Sequence, residues 1–160
     1  YDNGLDDKRV ILLENGFDGE IWAGTESAGI GVLEQDQFRM IRDSDGLAHN
    51  EMFSLYNDGK KMWAGTFGGG VSCFHDNTWF TLRESDGLNS NTVGSIVSID
   101  ENTTMIGGTS GVSIFKTNNQ NVIVKTDKNS NYDIDAVLKL NFNKEDCYFF
   151  DINSEERLRI

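Results

Sequence analysis

The stretch Ile21-Trp22-Ala23-Gly24-Thr25 decides the fold, because it recurs as Met62-Trp63-Ala64-Gly65-Thr66. A weaker third copy is Met105-Ile106-Gly107-Gly108-Thr109. The glycine before each threonine stands at positions 24, 65 and 108. A similarity that returns at a fixed spacing of about 41 residues indicates a repeat architecture, which must be recognised before any other feature is interpreted.

Two further markers keep the same order and nearly the same spacing. The first is a Gly-Leu turn, found at Asn3-Gly4-Leu5, Asp45-Gly46-Leu47 and Asp86-Gly87-Leu88. The second is a Gly-Val pair, found at Gly31-Val32, Gly70-Val71 and Gly111-Val112. Three markers that recur in constant order are very improbable by chance, so the sequence predicts consecutive structural units of one kind.

Each unit predicts four short strands separated by tight turns. In the second unit these are Met52 to Leu55, the Trp-Ala-Gly-Thr strand, Val71 to Phe74 and Trp79 to Leu82. Four strands per unit are typical of a β-propeller blade, so we expect an all-β protein made of antiparallel four-stranded blades. A lone blade cannot bury both of its faces. The tryptophan of the second strand is therefore expected to fill the wedge between neighbouring blades.

The chain is predicted to be a single propeller segment over residues 1–160, with about four blades. The blade repeats lie at about residues 4–45, 46–86, 87–128 and a degenerate, incomplete 129–160. Strands of the last unit are expected at Val137 to Leu140, Cys147 to Asp151 and Arg157 to Ile160. Because an open arc exposes apolar blade faces, the chain either belongs to a larger propeller, which we favour, or closes a ring by self-association.

Composition excludes several classes of function. The net charge is −12, with 14 basic and 26 acidic residues, which disfavours binding to nucleic acid or to an anionic membrane surface. No run of 18 apolar residues is present, so no membrane span is expected. The two cysteines, Cys73 and Cys147, are too few for a disulfide framework, and we expect both to be free and mostly buried thiols.

With these motifs in place, the sequence resembles the two-component regulator propeller repeat family. Residues 43–82 match it best, through Asp45-Gly46-Leu47, the Trp-Ala-Gly-Thr strand, Gly69-Gly70-Val71 and Phe74. The resemblance implies a periplasmic or otherwise extracytoplasmic sensor domain of a membrane-anchored bacterial receptor, often a hybrid histidine kinase. It also implies an oligosaccharide or another small extracellular ligand. Any contact with the membrane would run through segments absent from this chain.

The repeat places one set of loops near the start of the innermost strand of each blade. Polar side chains with an occasional aromatic ring suit the binding of sugars or peptides, although Asn and Ser also cap turns. The candidate ligand-binding residues on these loops are Asp7, Lys8, Glu26, His49, Asn50, Phe67, Ser90, Asn91 and Ser110.

We expect no cofactor, no metal site and no catalytic site. His49 and His75 are predicted to lie on opposite faces, and Asp43-Ser44-Asp45-Gly46 lacks the later positions of an EF-hand. No nucleophile elbow, P-loop or zinc-protease motif occurs. The sequence therefore favours a ligand-sensing propeller that is not an enzyme. The alternatives are a protein-interaction platform and a propeller-fold glycan hydrolase or lyase that uses two carboxylates.

Overall fold

The computed structural model of the chain describes residues 3–116, 121–122, 124–125, 149–150 and 157–158. Its first sheet contains β1 (Val10–Asn15), β2 (Ile21–Thr25), β3 (Ile30–Glu34) and β4 (Gln37–Ile41), which are hydrogen-bonded in that order. All three pairings in the sheet are antiparallel. A 3₁₀ turn at Asp43–Asp45 leads to the next sheet.

Two more sheets of the same kind follow. The second contains β5 (Met52–Asn57), β6 (Met62–Thr66), β7 (Val71–His75) and β8 (Thr78–Leu82), and the 3₁₀ turn Glu84–Asp86 comes after it. The third contains β9 (Val93–Asp100), β10 (Thr103–Gly108) and β11 (Gly111–Lys116). Four two-residue strands complete the described chain: β12 (Asn121–Val122), β13 (Val124–Lys125), β14 (Phe149–Phe150) and β15 (Arg157–Leu158). β13 pairs with β11 as the fourth strand of the third sheet, whereas β14 pairs with both β12 and β15.

The architecture confirms the predicted fold class, because three of the four described sheets are antiparallel, four-stranded sheets of propeller-blade type. The first strands of successive sheets contact one another, β1 with β5 and β5 with β9. We call the three sheets blades 1, 2 and 3. Their limits at residues 4–45, 46–86 and 87–128 stay predictions. The expected strand at residues 137–140 and Cys147 lie outside the described residues.

The tryptophan that blades 1 and 2 share at the same repeat position has the predicted role. Trp22 of blade 1 is 2 % exposed, and its ring centroid lies 5.9 Å from that of Phe74 and 6.1 Å from that of Trp79, both in blade 2. Trp63 of blade 2 is completely buried, and its centroid lies 5.3 Å from that of Phe115 in blade 3. Each indole therefore fills the wedge to the following blade, where aromatic rings contribute most by the apolar area they bury.

Hydrogen bonding explains why the Asp-Gly-Leu turn recurs. The Asp45 carboxylate accepts the backbone N–H of Arg42 at 2.8 Å, which closes the 3₁₀ turn. Gly46 follows with φ of 110°, a left-handed conformation that glycine adopts without steric cost. The chain then inserts Leu47 into the core between blades 1 and 2. The same arrangement returns between Arg83 and Asp86.

The third copy of the tryptophan strand is shifted by one residue from the predicted alignment. The N–H of Thr109 donates to the carbonyl of Thr92, as the N–H of Phe67 donates to that of Glu51. Thr109 is therefore the equivalent of Phe67. Met105 consequently occupies the position of tryptophan, and the expectation that Ile106 replaces it was wrong.

The strand register and the core agree with this shift. Ile106 pairs across the sheet with Ser113, as Ala64 pairs with Ser72. Ile106 also packs in the core cluster that contains Trp63.

The Gly-Val marker is also displaced in blade 1. Gly29 accepts the N–H of Thr25 and donates its own N–H to the carbonyl of Asn50. Gly70 makes the same pair of bonds with Thr66 and Asn91 in the next repeat. The equivalent of Gly70-Val71 in blade 1 is therefore the pair at residues 29–30, two residues before the Gly31-Val32 of the predicted alignment.

The thiol of Cys73 is free and buried, as predicted. Burial raises the pKa of this thiol far above its ordinary value, so the group acts as a small apolar side chain. Within the described residues, no helix is long and apolar enough to cross a membrane.

Candidate ligand-binding face

One end of the blades carries the candidate residues, and we call it the loop face. It consists of the loops that precede each first strand, at residues 6–9, 42–51 and 83–92, and the loops between second and third strands, at residues 26–29, 67–70 and 109–110. Backbone hydrogen bonds join these loops across blade boundaries: the N–H of Gly29 donates to Asn50 at 2.8 Å, and that of Gly70 donates to Asn91 at 2.7 Å. The predicted juxtaposition of these loops is therefore present.

The blade 1 candidates are tied to one another and to the loops. The Asp7 carboxylate accepts hydrogen bonds from the backbone of Arg9 and from both the backbone and the hydroxyl of Ser27, each at 2.9 Å. The Arg9 N–H and the Ser27 hydroxyl hold the pKa of Asp7 below its ordinary value. Glu26 pairs with the Arg9 guanidinium at 2.6 Å. Lys8 is exposed.

Two candidate asparagines mainly hold the loops in place. The Asn50 side-chain oxygen accepts the N–H of Asp43 at 2.9 Å, and the Asn91 side-chain oxygen accepts that of Glu84 at 2.8 Å. These are the turn-capping contacts that Asn makes readily. His49 is exposed, and its Nδ1 accepts the N–H of Glu51 at 3.1 Å.

The blade 3 candidates differ in accessibility. Ser90 is buried, and its hydroxyl lies 2.8 Å from that of Thr109. Ser110 is exposed on the tight turn between β10 and β11. Because Thr109 is the repeat equivalent of Glu26 and Phe67, Ser110 lies one residue beyond the position that these two share. Thr109 is thus a loop-face residue that the shifted alignment missed.

The first strand of every blade is bulged near its start, and this was not predictable from the sequence pattern. The register shifts lie between Val10 and Leu12, between Met52 and Ser54, and opposite the Gly107–Gly108 step of β10. In each case one residue on the first strand has no partner in the ladder: Ile11, Phe53 and Gly94. Bulges re-aim side chains and are frequent beside binding sites.

An exposed pair of aromatic rings lies at the edge of the loop face, with Phe67 in one of its loops and Phe53 at the adjoining start of β5. Phe53 is 46 % exposed and Phe67 is 50 % exposed, and their ring centroids are 5.7 Å apart. Phe67 was predicted as a candidate, whereas Phe53 was assigned only to the apolar strand run. Two neighbouring rings that remain half exposed are available to contact a ligand.

A pocket of about 380 Å³ lies beside Phe53, a size within the usual range for ligand sites, about 300–1,000 Å³. Its lining contains one aromatic residue, one aliphatic residue, three hydroxyl-bearing residues and four glycines: Phe53, Thr92, Gly94, Ser95, Gly107, Gly108, Thr109, Gly111 and Val112. No lining residue carries a charge.

The two histidines lie at opposite ends of the blades. His75 ends β7, and its Nδ1 lies 3.2 Å from the carbonyl of Lys60, in the turn between β5 and β6, whereas His49 lies on the loop face. Within the described part of the chain, no three His, Cys, Asp or Glu side chains gather at a spacing suited to a metal ion.

Neither a protein-family model nor a curated protein matches the sequence. Among solved structures, the chain is similar to the extracellular domain assigned to the hybrid two-component system BT3049 of B. thetaiotaomicron, at 19 % identity and a TM-score of 0.64. A second similar structure is the extracellular domain assigned to the one-component system BT4673 of the same organism, at 10 % identity and a TM-score of 0.52.

These likenesses cover 99 % and 92 % of this chain, respectively. The chain spans only 23 % and 22 % of the two compared chains. At this level of identity, the comparisons establish a shared fold.

Proposed function

We propose that the chain is a non-enzymatic, ligand-sensing propeller segment of a bacterial two-component receptor of the histidine kinase type. In this proposal it lies in the periplasm or elsewhere outside the cytoplasm, and other segments of the receptor anchor it to the membrane. The observation that carries the proposal is the likeness over 99 % of the chain to an extracellular domain of a two-component system. The motif resemblance, which rests on separate evidence, points the same way.

The loop face supports a binding role. It combines the exposed Phe53–Phe67 pair with exposed polar groups such as those of Lys8 and His49. Such a mixture of an apolar surface and a few directional polar groups is typical of small-molecule sites. We therefore propose that the loop face binds a small extracellular ligand, with an oligosaccharide as the favoured candidate. The chain binds this ligand and does not convert it chemically.

The outer face of blade 1 supports a role within a larger assembly. Leu55 of blade 2 packs against the core cluster between blades 1 and 2. Its repeat equivalent in blade 1, Leu13, is 70 % exposed. A blade face built for burial but left open favours further blades or a second copy of the chain as its partner. Light scattering on the purified chain distinguishes these two partners. A measured mass of 17.9 kDa, that of the monomer, at high protein concentration would exclude self-association and favour further blades of a larger propeller.

The test of the sensing role uses the full receptor as its cell encodes it. Transcripts under its control should rise when neutral oligosaccharides are added to the medium, and alkaline phosphatase fused after Lys116 should be active outside the cytoplasm. His49→Ala should weaken the response, whereas His75→Ala at the opposite end of the blades should leave it intact, at equal receptor levels. An inactive fusion, the absence of a response to every neutral oligosaccharide, or an equal loss of response from both substitutions would overturn the proposal. Turnover of a polysaccharide by the purified chain would overturn its non-enzymatic part.

A further inference from the structure

We propose that the pocket beside Gly94 is the recognition subsite of the loop face, and that it takes one uncharged pyranose ring stacked on Phe53. The inference rests on the proposed sensing function and assigns that function a place and a ligand chemistry. The supporting observation is that blade 3 has glycine at positions where blades 1 and 2 have larger residues.

Two repeat positions lose their side chains in blade 3, and the one at Gly94 opens the pocket beside Phe53. The bulged position is Ile11 in blade 1 and Phe53 in blade 2, but it is Gly94 in blade 3. The position that ends the second strand is threonine in blades 1 and 2, where the hydroxyl donates to a loop glycine carbonyl at 2.8 Å. In blade 3 this position is Gly108. A place where a chain departs from its own repeat is expected to be a functional or a strained site, and Gly94 has no steric overlap that would mark strain.

The aromatic wall of the pocket indicates which kind of ligand surface can bind there. Phe53 presents a half-exposed ring, and the ideal Cβ position at Gly94 lies 3.5 Å from that ring. The floor beside the ring is thus open only because residue 94 has no side chain. A flat, apolar ligand surface can pack on the ring there, and Phe67, at 5.7 Å from Phe53, extends the aromatic surface beyond the pocket.

Polar contacts at the rim suit hydroxyl groups rather than ions. Ser95 is exposed, and Thr92 and Thr109 also line the pocket. Because the lining carries no charged residue, a carboxylate or phosphate would lose its hydration without gaining a partner. The net charge of −12 further repels anions. A pyranose ring combines one apolar face with peripheral hydroxyls and carries no charge, and it therefore matches this lining.

The site can be tested on the ¹⁵N-labelled full chain by NMR titration. The probes are cellotriose and maltotriose as neutral sugars and trigalacturonate as the acidic counterpart. We expect a neutral probe to move the amide signals of Gly94, Gly107 and Gly108, and we expect trigalacturonate to bind at least about tenfold more weakly, which corresponds to about 1.4 kcal/mol.

Two variants and matched controls locate the ligand. Gly94→Val restores a side chain where the nearest atoms stand at ordinary contact distance, so it should fold normally and lose binding about tenfold or more. Ile11→Phe enlarges the side chain at the equivalent position of blade 1 and should leave affinity unchanged. Phe53→Ala should weaken binding, while Phe53→Tyr, which keeps the ring, should retain it.

The outcomes separate this inference from the function on which it rests. If a neutral sugar binds but moves the signals of His49 or Glu26 and not those of the three glycines, sensing stands and the pocket assignment is wrong. If trigalacturonate binds as tightly as the neutral probes, the ligand chemistry is wrong. If none of the three probes binds at millimolar concentration, the pocket inference is overturned, while the transcriptional response of the full receptor still decides the sensing function.

Discussion

The hydroxyl of Ser54 in blade 2 donates to the backbone carbonyl of Val93 in blade 3, at 3.1 Å, and both residues are buried. The bond joins the start of one inner strand to the start of the next, so it fixes how two blades meet near the axis. Ser95 is the repeat equivalent of Ser54, but it is exposed and lines the pocket. The same residue type thus stabilises the fold in one blade and faces a candidate ligand site in the next.

Ser54→Ala should lower the free energy of unfolding by about 1–2 kcal/mol, because a buried carbonyl loses a hydrogen-bond partner. Ser95→Ala is the matched control and should change it by less than about 0.5 kcal/mol, since it removes an exposed hydroxyl. Urea denaturation followed by tryptophan fluorescence measures both. Equal effects of the two substitutions would show that the bond between blades contributes no more than an exposed hydroxyl.

The register of blade 3 can be tested by the stability of two alanine variants. Ile106 is buried in the cluster that contains Trp63, so Ile106→Ala should cost about 2–5 kcal/mol through lost burial and the cavity left behind. Met105 is only partly buried, and Met105→Ala should cost about 1 kcal/mol or less. The same urea titration compares them. A larger loss from Met105→Ala would restore the alignment in which Ile106 replaces tryptophan.

Much of the fold could be predicted because its signals are local. The Trp-Ala-Gly-Thr strands alternate residues between two buried faces, and each turn glycine has a short-range reason to be there, as Gly46 has. The spacing of these signals predicts the strand order, the wedge role of Trp22 and Trp63, and the shared face of the loops. The same reasoning applies to Cys73, which lies in β7 of blade 2, packs in the core cluster between blades 2 and 3, and is buried as expected.

The alignment of blade 3 and the β-bulges could not be predicted, because both depend on how neighbouring strands pair. The run Gly107-Gly108-Thr109 offers two glycines to align with the single glycine of the other repeats. The pairing of Ile106 with Ser113 and the hydrogen bond between Thr109 and Thr92 decide between them. The bulges are also invisible in residue types, because they arise where one strand slips against its neighbour. For this reason the sequence pattern does not predict that Phe53 is exposed, or that Gly94 occupies the equivalent position in blade 3.

Three glycine substitutions should separate backbone strain from steric overlap. Gly70 has φ of 99°, and a Cβ there would overlap the carbonyl oxygen of Leu82, so Gly70→Ala should cost about 2–3 kcal/mol. Gly68 has φ of 82° but nothing near its Cβ position, and Gly68→Ala should cost about 1 kcal/mol. Gly94 meets neither problem, so Gly94→Ala should be neutral or stabilise by up to about 1 kcal/mol. Thermal unfolding should rank the variants in this order, and a different order would contradict the backbone geometry of the loop face.

Asp58 should make the stability of the protein depend on pH below about 4, the ordinary pKa of aspartate. Its side chain is only 9 % exposed. Burial alone would raise its pKa, but the backbone N–H groups of Lys60 and Lys61 and the indole N–H of Trp63 outweigh burial and lower the pKa. Because the carboxyl has the lower pKa in the folded state, its contribution is present above the pKa of the unfolded chain and is lost as the pH falls through the folded value.

The measurement is the free energy of unfolding in urea between neutral pH and about pH 3, below the ordinary pKa of aspartate. Asp58→Asn should be less stable than the parent at neutral pH by about 1.5–3 kcal/mol, because the N–H donors lose a charged acceptor. The difference should shrink on acidification, since only the parent then takes up a proton at this position. Glu101→Gln is the control: Glu101 pairs with Lys60 at 2.7 Å on the open surface, where salt screens the pair, and the pH profile should be almost unchanged. If the free energy of unfolding of Asp58→Asn runs parallel to that of the parent down to the lowest pH, the carboxylate of Asp58 makes no pH-dependent contribution to stability.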